Sequence, residues 1–439
     1  MVHGLKMSEI EINAGFRHAW DVMLKTRETA LITGKAGTGK STLLRHFVKE
    51  SGKKCIVLAP TGIAAINAGG QTVHSFFGFP LRPMVPGDSE IKKYAKYHPK
   101  YKIMRDMEVL IIDEVSMLRA DIIDAIDYSL RINLNMPFPF GGKQVVFFGD
   151  LFQLEPVIQN SEVERHLFGE VYKSHYFFSA HVFEDIELPN IELTQVYRQQ
   201  DETFIHLLNS IRLGNAGEGE LEELNSRYMP DFEPDGEEMA ITLCTRNRMA
   251  DDINEYMLRQ IESKSFEYTG KIEGDYNQRN LPTASTLVLK NGAQVVFIKN
   301  HSSGKYVNGT LGKITALDMM NITVELEDGE EIILQKEIWE NKVYRFDNVN
   351  RRIQSDVVGQ FTQYPIKLAW AITIHKSQGL TFDKAIIDLG GGAFAHGQLY
   401  VALSRCRTLN GLYLRQLIRY PDIIVDERVV DFARKNLLY

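Results

Sequence analysis

Ala30-Leu-Ile-Thr33-Gly34-Lys-Ala-Gly37-Thr38-Gly39-Lys40-Ser41-Thr42 joins four residues of strand character to a glycine-rich run that ends in a lysine and two hydroxyl residues. A short apolar run of strand length passes straight into a glycine-rich turn, and the turn opens a helix. Gly34, Gly37 and Gly39 let the backbone bend so that its N–H groups wrap an anion, and the helix beginning near Lys40 adds the positive end of its dipole. In this strand–turn–helix setting the spacing GxxxxGK[ST] reads as a phosphate-binding loop. Lys40 is expected to reach the β- and γ-phosphates of a nucleoside triphosphate and Ser41 to ligate Mg²⁺, with Thr38 and Thr42 as further nucleotide contacts.

Outward from the loop the pattern repeats. The runs Cys55 to Ala59, Val109 to Ile112 and Gln144 to Phe148 suit buried parallel strands, and they end in Pro60 to Gly62, Asp113-Glu114 and Gly149-Asp150. Ligands of open parallel sheets gather at the carboxyl ends of strands, so the four clusters are expected to converge on one crevice. Helices are expected over Thr42 to Glu50 and Ala120 to Arg131, where Ile122, Ile123, Ile126 and Leu130 recur at helical spacing. The alternation reads as an α/β nucleotide-binding domain.

Within that crevice Asp113 can hold the Mg²⁺ shell and Glu114 can polarise an attacking water; two acids capping a helix are the plainer alternative. Gln153, in Phe148-Gly-Asp150-Leu-Phe-Gln153, can bond the γ-phosphate or that water. Arg198 and Arg405 stand where arginine fingers would meet the phosphoryl oxygens, although surface charge explains an arginine equally well from spacing alone. If both act so, the nucleotide lies between two lobes and its hydrolysis moves them, as a motor requires.

A second α/β set is expected from near Ile191, with strands at Ile241 to Thr245, Ala385 to Leu389 and Gly411 to Leu414. It is interrupted from Gln294 to about Gln360, where Ile322 to Leu326, Asp328-Gly329 and Glu331 to Leu334 spell a hairpin in a small β-barrel. The first set is interrupted from Phe76 to Arg105, a segment in which Lys92, Lys93, Lys96, Lys100 and Lys102 interleave with Tyr94, Tyr97 and Tyr101. That mixture suits a nucleic-acid strand or fork, or else an amphipathic helix with a solvated lysine face. The expected domains are 1–190 and 191–439.

Composition narrows the function classes. At 439 residues the chain should split into about two to four domains, and 44% hydrophobic with 24% charged residues is ordinary for a globular protein. No apolar run reaches the roughly 18 residues of a membrane span, and Met1 to Glu11 lacks a signal core. Three dispersed cysteines, Cys55, Cys244 and Cys406, argue against disulfides, structural zinc and iron–sulfur clusters. A net charge of −7 excludes a polycation, so any nucleic-acid site must be a local groove. No acidic cluster outside the phosphate site suggests a nuclease centre.

Three further strings sharpen the reading: Gly70-Gln-Thr-Val-His74-Ser75-Phe76-Phe-Gly78, Asp201-Glu-Thr-Phe204-Ile205 through Leu208-Asn209-Ser-Ile211-Arg212, and Ala371-Ile-Thr373-Ile-His375-Lys-Ser377-Gln378-Gly379. Together with the phosphate loop, and in this order from Gly34 to Arg407, they resemble the motifs of superfamily 1 helicases, and among these the PIF (petite integration frequency) helicases of the RecD-like branch. The resemblance implies two RecA-like domains, a wedge-like insertion in the first, an SH3-like β-barrel in the second, and 5′ to 3′ movement on single-stranded DNA. It implies that Arg198 and Arg405 are arginine fingers and that Tyr197 lies at the nucleotide. Thr61, Gly62, His74, Ser75, Phe76, Thr373, His375, Ser377 and Gln378 fall in motifs that line the strand-binding face. One departure is visible, since the glutamine-bearing stretch that usually reads adenine is not evident in Glu11 to Asp21.

The leading expectation is therefore an ATP- and Mg²⁺-dependent DNA helicase. A DNA-stimulated translocase without unwinding and an ATP-gated strand-binding module remain as alternatives, the latter disfavoured by the intact Asp113-Glu114 pair. The expected partners are single-stranded and forked DNA, with G-quadruplexes and RNA–DNA hybrids as further candidates and no membrane. A monomeric, cytoplasmic protein of bacterial or phage-like type is expected.

Overall fold

Six parallel strands carry the phosphate loop: β1 (Ala30–Gly34), β2 (Cys55–Ala59), β3 (Gln71–Thr72), β4 (Val109–Ile112), β5 (Gln144–Gly149) and β6 (Asn190–Leu193), in the order β3-β2-β4-β5-β1-β6. The computed structural model describes residues 13–159, 161–199, 201–234, 239–278, 281–301, 303–347 and 352–436. Every residue of β1 is buried, as a strand covered on both faces requires. Its Ile32 stands in register with Phe148 on one side and Ile191 on the other.

That pairing corrects one expectation. The strand near Ile191 does not open the second set; it closes the first sheet beside β1. The ladder of β1 needs a partner on each edge, and the chain supplies the second one far downstream, where no local pattern announces it.

Helices clamp this sheet. Ala14–Lys25 is capped by Asn13, whose side chain accepts from Phe16 N, and Lys40–Glu50 starts directly at the phosphate loop. Phe16, Ala19 and Met23 from the first and Leu43, Leu44 and Phe47 from the second share one core with Ile32, Val146 and Phe148. Burying a side chain such as Phe47 stabilises by about 2–3 kcal/mol. The helix expected over Ala120 to Arg131 runs Ala120–Leu134 and ends at Asn135 in the left-handed region. The lysine–tyrosine stretch is not one helix. Only Pro99–Asp106 is helical, because proline disfavours helix in the residue before it. Tyr94 instead stacks on His98 at 4.6 Å, with Lys100 Nζ 5.7 Å from its ring.

The chain divides into two compact units. The first takes in residues 13–197 with 342–347, 352–357 and 426–436; the second takes in 201–341 and 358–425 together with Arg198 and Gln199, over the described residues. The C-terminal helix Glu427–Asn436 thus belongs to the unit that holds the phosphate loop.

The second unit contains a four-stranded parallel sheet in the order Ala371–Thr373, Ile241–Cys244, Ala385–Asp388, Leu412–Leu414. Beside it lies a five-stranded antiparallel sheet in the order Glu331–Ile333, Ile322–Leu326, Leu311–Leu317, Gln294–Phe297, Ile366–Leu368. The hairpin at Asp328-Gly329 is there, with Gly329 at φ +82° as the turn demands. The core of this module, with Val295, Phe297, Ile314 and Val324, also draws in Tyr268, Leu287 and Leu289 from upstream. Among the described residues no helix is long and apolar enough to cross a membrane.

Candidate nucleotide and strand-binding site

The phosphate loop is held in shape by its own groups. Thr38 is 1% exposed and its hydroxyl donates to Lys35 O at 2.9 Å. Gly37 and Gly39 adopt φ +81° and +83°, which residues with a Cβ rarely do. A Cβ on Gly34 would sit 2.6 Å from both Thr38 Oγ1 and Leu193 O, so only glycine fits there. Lys40 Nζ donates to Gly34 O at 2.6 Å and Lys35 O at 2.9 Å, which folds the ammonium back over the loop. Ser41 and Thr42 are exposed in the first helical turn.

Asp113 directly follows β4 with 8% exposure, and its Oδ1 accepts from Glu114 N at 3.0 Å. Burial first, and the Glu114 charge second, push its carboxyl up to about 7, against the pull of Lys40 and Arg45. Glu114 stands at φ +52°, a left-handed conformation that costs a non-glycine residue about 1–2 kcal/mol. A buried acid that its surroundings disfavour as an anion is relieved by a cation, so the residues present fit a magnesium nucleotide. Loop N–H groups and Lys40 suit the phosphates, and Ser41 Oγ with Asp113 suits the metal. Gln153, 6% exposed, donates from Nε2 to Asp150 Oδ2 at 3.3 Å, while Asp150 Oδ1 accepts from Phe152 N at 3.2 Å.

Around Tyr197, which the family resemblance placed at the nucleotide, the same unit adds Asn13, Phe16 and Gln195, which the sequence did not single out. Asn13 Nδ2 donates to Tyr197 OH and to Gln195 Oε1, each at 3.1 Å, and Tyr197 N donates to Gly37 O at 2.9 Å. A Cβ on Gly39 would lie 3.0 Å from the Phe16 ring. Asn13, Phe16, Gln195 and Tyr197 therefore gather at the loop. An Asn capping a helix just upstream of β1 is the signal that could have found them.

In the second unit Arg198 and Arg405 come together at Ser404. Arg198 Nη1 donates to Ser404 O at 3.3 Å, and Arg405 Nη2 donates to Ser404 Oγ at 2.9 Å. Arg405 is 1% exposed and also bonds Val401 O through Nε at 3.0 Å.

The residues of the strand-binding motifs divide by burial. Thr61 is exposed and caps Gly62–Ala68, accepting from Ala64 N at 3.2 Å. Ser75 is exposed, while His74 is partly buried with its pKa held below the ordinary value by burial and then by Arg119. Phe76, Thr373 and Ser377 lie inside. Phe76 packs inside against Phe77 at 4.9 Å, Thr373 is buried, and Ser377 is fully buried with its hydroxyl on Ile374 O at 2.7 Å. In tight turns after strands, small hydroxyl side chains satisfy nearby carbonyls instead of facing solvent. His375 is partly buried and its pKa is lowered by burial. Among the described residues Gln378 Nε2, which is buried, has no hydrogen-bond partner. Lys367, in Ile366–Leu368, passed unnoticed in the sequence; burial, and then the charge of Lys376, lower its pKa to about 8.

A family model described as PIF1-like helicase matches residues 13–221. The chain is 31% identical to the ATP-dependent DNA helicase Pif1 of Bdellovibrio bacteriovorus, over 99% of this chain and 94% of that protein. The crystal structure of Bacteroides sp Pif1 in complex with ADP-AlF4 is similar with a TM-score of 0.90 and 40% identity, covering 97% of each chain. The Bacteroides Pif1 structure bound to ssDNA is similar with a TM-score of 0.70 at the same 40% identity and 97% coverage of each chain.

Proposed function

The chain belongs to the PIF1-like helicase family and is an ATP-dependent DNA helicase, and from that premise we propose how its residues perform the work. The loop N–H groups and Lys40 bind the triphosphate, with Gly34, Gly37, Thr38, Gly39 and Thr42 shaping the cradle. Ser41 and Asp113 hold Mg²⁺, which when bound supplies charge neutralisation at the phosphates. Glu114 takes the proton of the attacking water, and Gln153 orients that water against the γ-phosphate. Arg198 and Arg405 act as arginine fingers, kept in step through Ser404. Asn13 and Tyr197 hold the base, Asn13 taking the place of the missing glutamine.

Thr61, Gly62, His74 and Ser75, and likewise His375, Gln378 and Lys367, contact the strand, chiefly at its phosphates, as sequence-tolerant movement requires. Phe76, Thr373 and Ser377 support those contacts from beneath. The segment between Phe76 and Arg105 serves as the wedge, and the antiparallel module around 294–360 as the SH3-like insertion. The substrate is single-stranded and forked DNA, traversed 5′ to 3′ by a monomer, with G-quadruplexes and RNA–DNA hybrids as further candidates. The observation that carries hydrolysis over mere nucleotide-gated binding is the strained, charge-crowded Asp113-Glu114 pair in the unit that also holds Lys40.

The test is ATP-dependent displacement of a labelled strand from two matched duplexes, one with a 5′ and one with a 3′ single-stranded tail. Unwinding of the 5′-tailed duplex alone is expected. Preference for the 3′ tail would reverse the polarity, and DNA-stimulated hydrolysis without displacement would favour the translocase reading.

A further inference from the structure

Glu155 lies two residues beyond Gln153, separated from it by the fully buried Leu154. Its Oε2 accepts from Tyr176 OH at 3.1 Å and contacts His175 Nε2 at 3.0 Å. The Tyr176 hydroxyl also reaches Asp426 Oδ2 at 3.1 Å, so one phenol bridges two carboxylates. Asp426 is the residue at which the chain passes from the second unit back into the first. The helix that follows is fastened there twice more. Arg428 binds Asp426 through Nε at 2.9 Å with its guanidinium 5.3 Å from the Tyr176 ring, and Phe432 stacks on Phe178 at 4.3 Å and 8°.

We propose that Asp426, Arg428 and Tyr176 are positioning residues for the Gln153 turn, which makes Glu427–Asn436 a strap coupling the chain's crossing point to the phosphate site. The Phe178–Phe432 stack and the Arg428 guanidinium over the Tyr176 ring anchor the helix, and the Tyr176 bridge carries any displacement at Asp426 to Glu155. Leu154, fully buried in a close-packed interior, passes it to Gln153. Burial opposes ionisation of Asp426, yet its bonds from Arg428 hold the carboxyl down to about 2, so the ion pair persists across the working pH range. Burial, and then Glu155 and Asp426, raise the Tyr176 pKa, which keeps its hydroxyl a donor.

This inference rests on the role proposed for Gln153, and a double-mutant cycle separates the two. DNA-stimulated ATP hydrolysis is measured for the full chain, Arg428→Ala, Gln153→Ala and the double variant, with Tyr176→Phe alongside. Arg428→Ala and Tyr176→Phe are expected to lower kcat about fivefold with KM for ATP within about twofold, and Arg428→Ala to add no loss in the Gln153→Ala background. Equal losses in both backgrounds, or an unchanged kcat despite a lowered Tm, would overturn the strap while leaving the Gln153 role intact. Normal turnover by Gln153→Ala alone would overturn both, and identify the Gln153 role as the failing part.

Discussion

Asp113 shows folding and chemistry in conflict at one carboxyl. With its pKa raised to about 7 from the ordinary carboxylate value near 4, the folded protein holds this proton more tightly than the unfolded chain does. The sign follows: the protonated form adds stability that is complete below about pH 4 and is lost as pH rises through 7. Asp113→Asn is therefore expected to stabilise the nucleotide-free protein at pH 8 by about 1–3 kcal/mol, to bring little at pH 4, and to abolish Mg²⁺-dependent hydrolysis. Thermal unfolding at the two pH values checks it, and a lower Tm for the variant at pH 8 would contradict the burial argument. Lys367 has the opposite sign. Its pKa near 8 means that the free protein sheds this charge between pH 7 and 9. Lys367→Met should weaken single-strand binding at pH 7, reduce the salt slope of log K by roughly one, and remove the pH dependence seen in the parent. Titrating a labelled oligonucleotide at three salt concentrations, each at pH 7 and pH 9, measures all three effects. Lys40, Ser41 and Asp113 stand out in the sequence because phosphate chemistry demands those types at those spacings. The burial of Phe76, Thr373 and Ser377 does not show there, because a motif names neighbours and does not say which side chains face inward.

At the scale of elements, the apolar runs of β1, β2, β4 and β5 announced themselves, since strands covered on both faces have no polar alternation to confuse them. The two-residue β3 is too short to leave a pattern, and β6 could be seen as a strand but not assigned to a sheet. The string Asp201 to Arg212, part of the family resemblance, proves to be a capped helix. Asp201 accepts from Phe204 N at 3.2 Å, and Gly214 ends the helix at φ +69°, facing Val425. Phe204, Leu208 and Ile211 are buried on one face. Much of that string therefore serves architecture. Asp201→Ala should cost about 1 kcal/mol in urea unfolding through the lost cap, with hydrolysis and strand binding unchanged at room temperature. A large loss of turnover without a stability change would give Asp201 a functional role instead.

Across the whole molecule, the parallel nucleotide-binding sheet, the phosphate loop, the acid pair and the presence of a β hairpin module could be read from local patterns alone. Each is announced by residues within about a dozen positions of one another, where periodicity, turn chemistry and fixed spacing act directly. Tertiary structure alone decided which strand completes the first sheet, that Asn13 and Tyr197 meet at the phosphate loop, that Arg198 and Arg405 share Ser404, and that residues 426–436 return to the first unit. Those pairings join segments far apart in the chain. Their partners are chosen by shape, burial and the satisfaction of polar groups after collapse, and no local pattern encodes that choice.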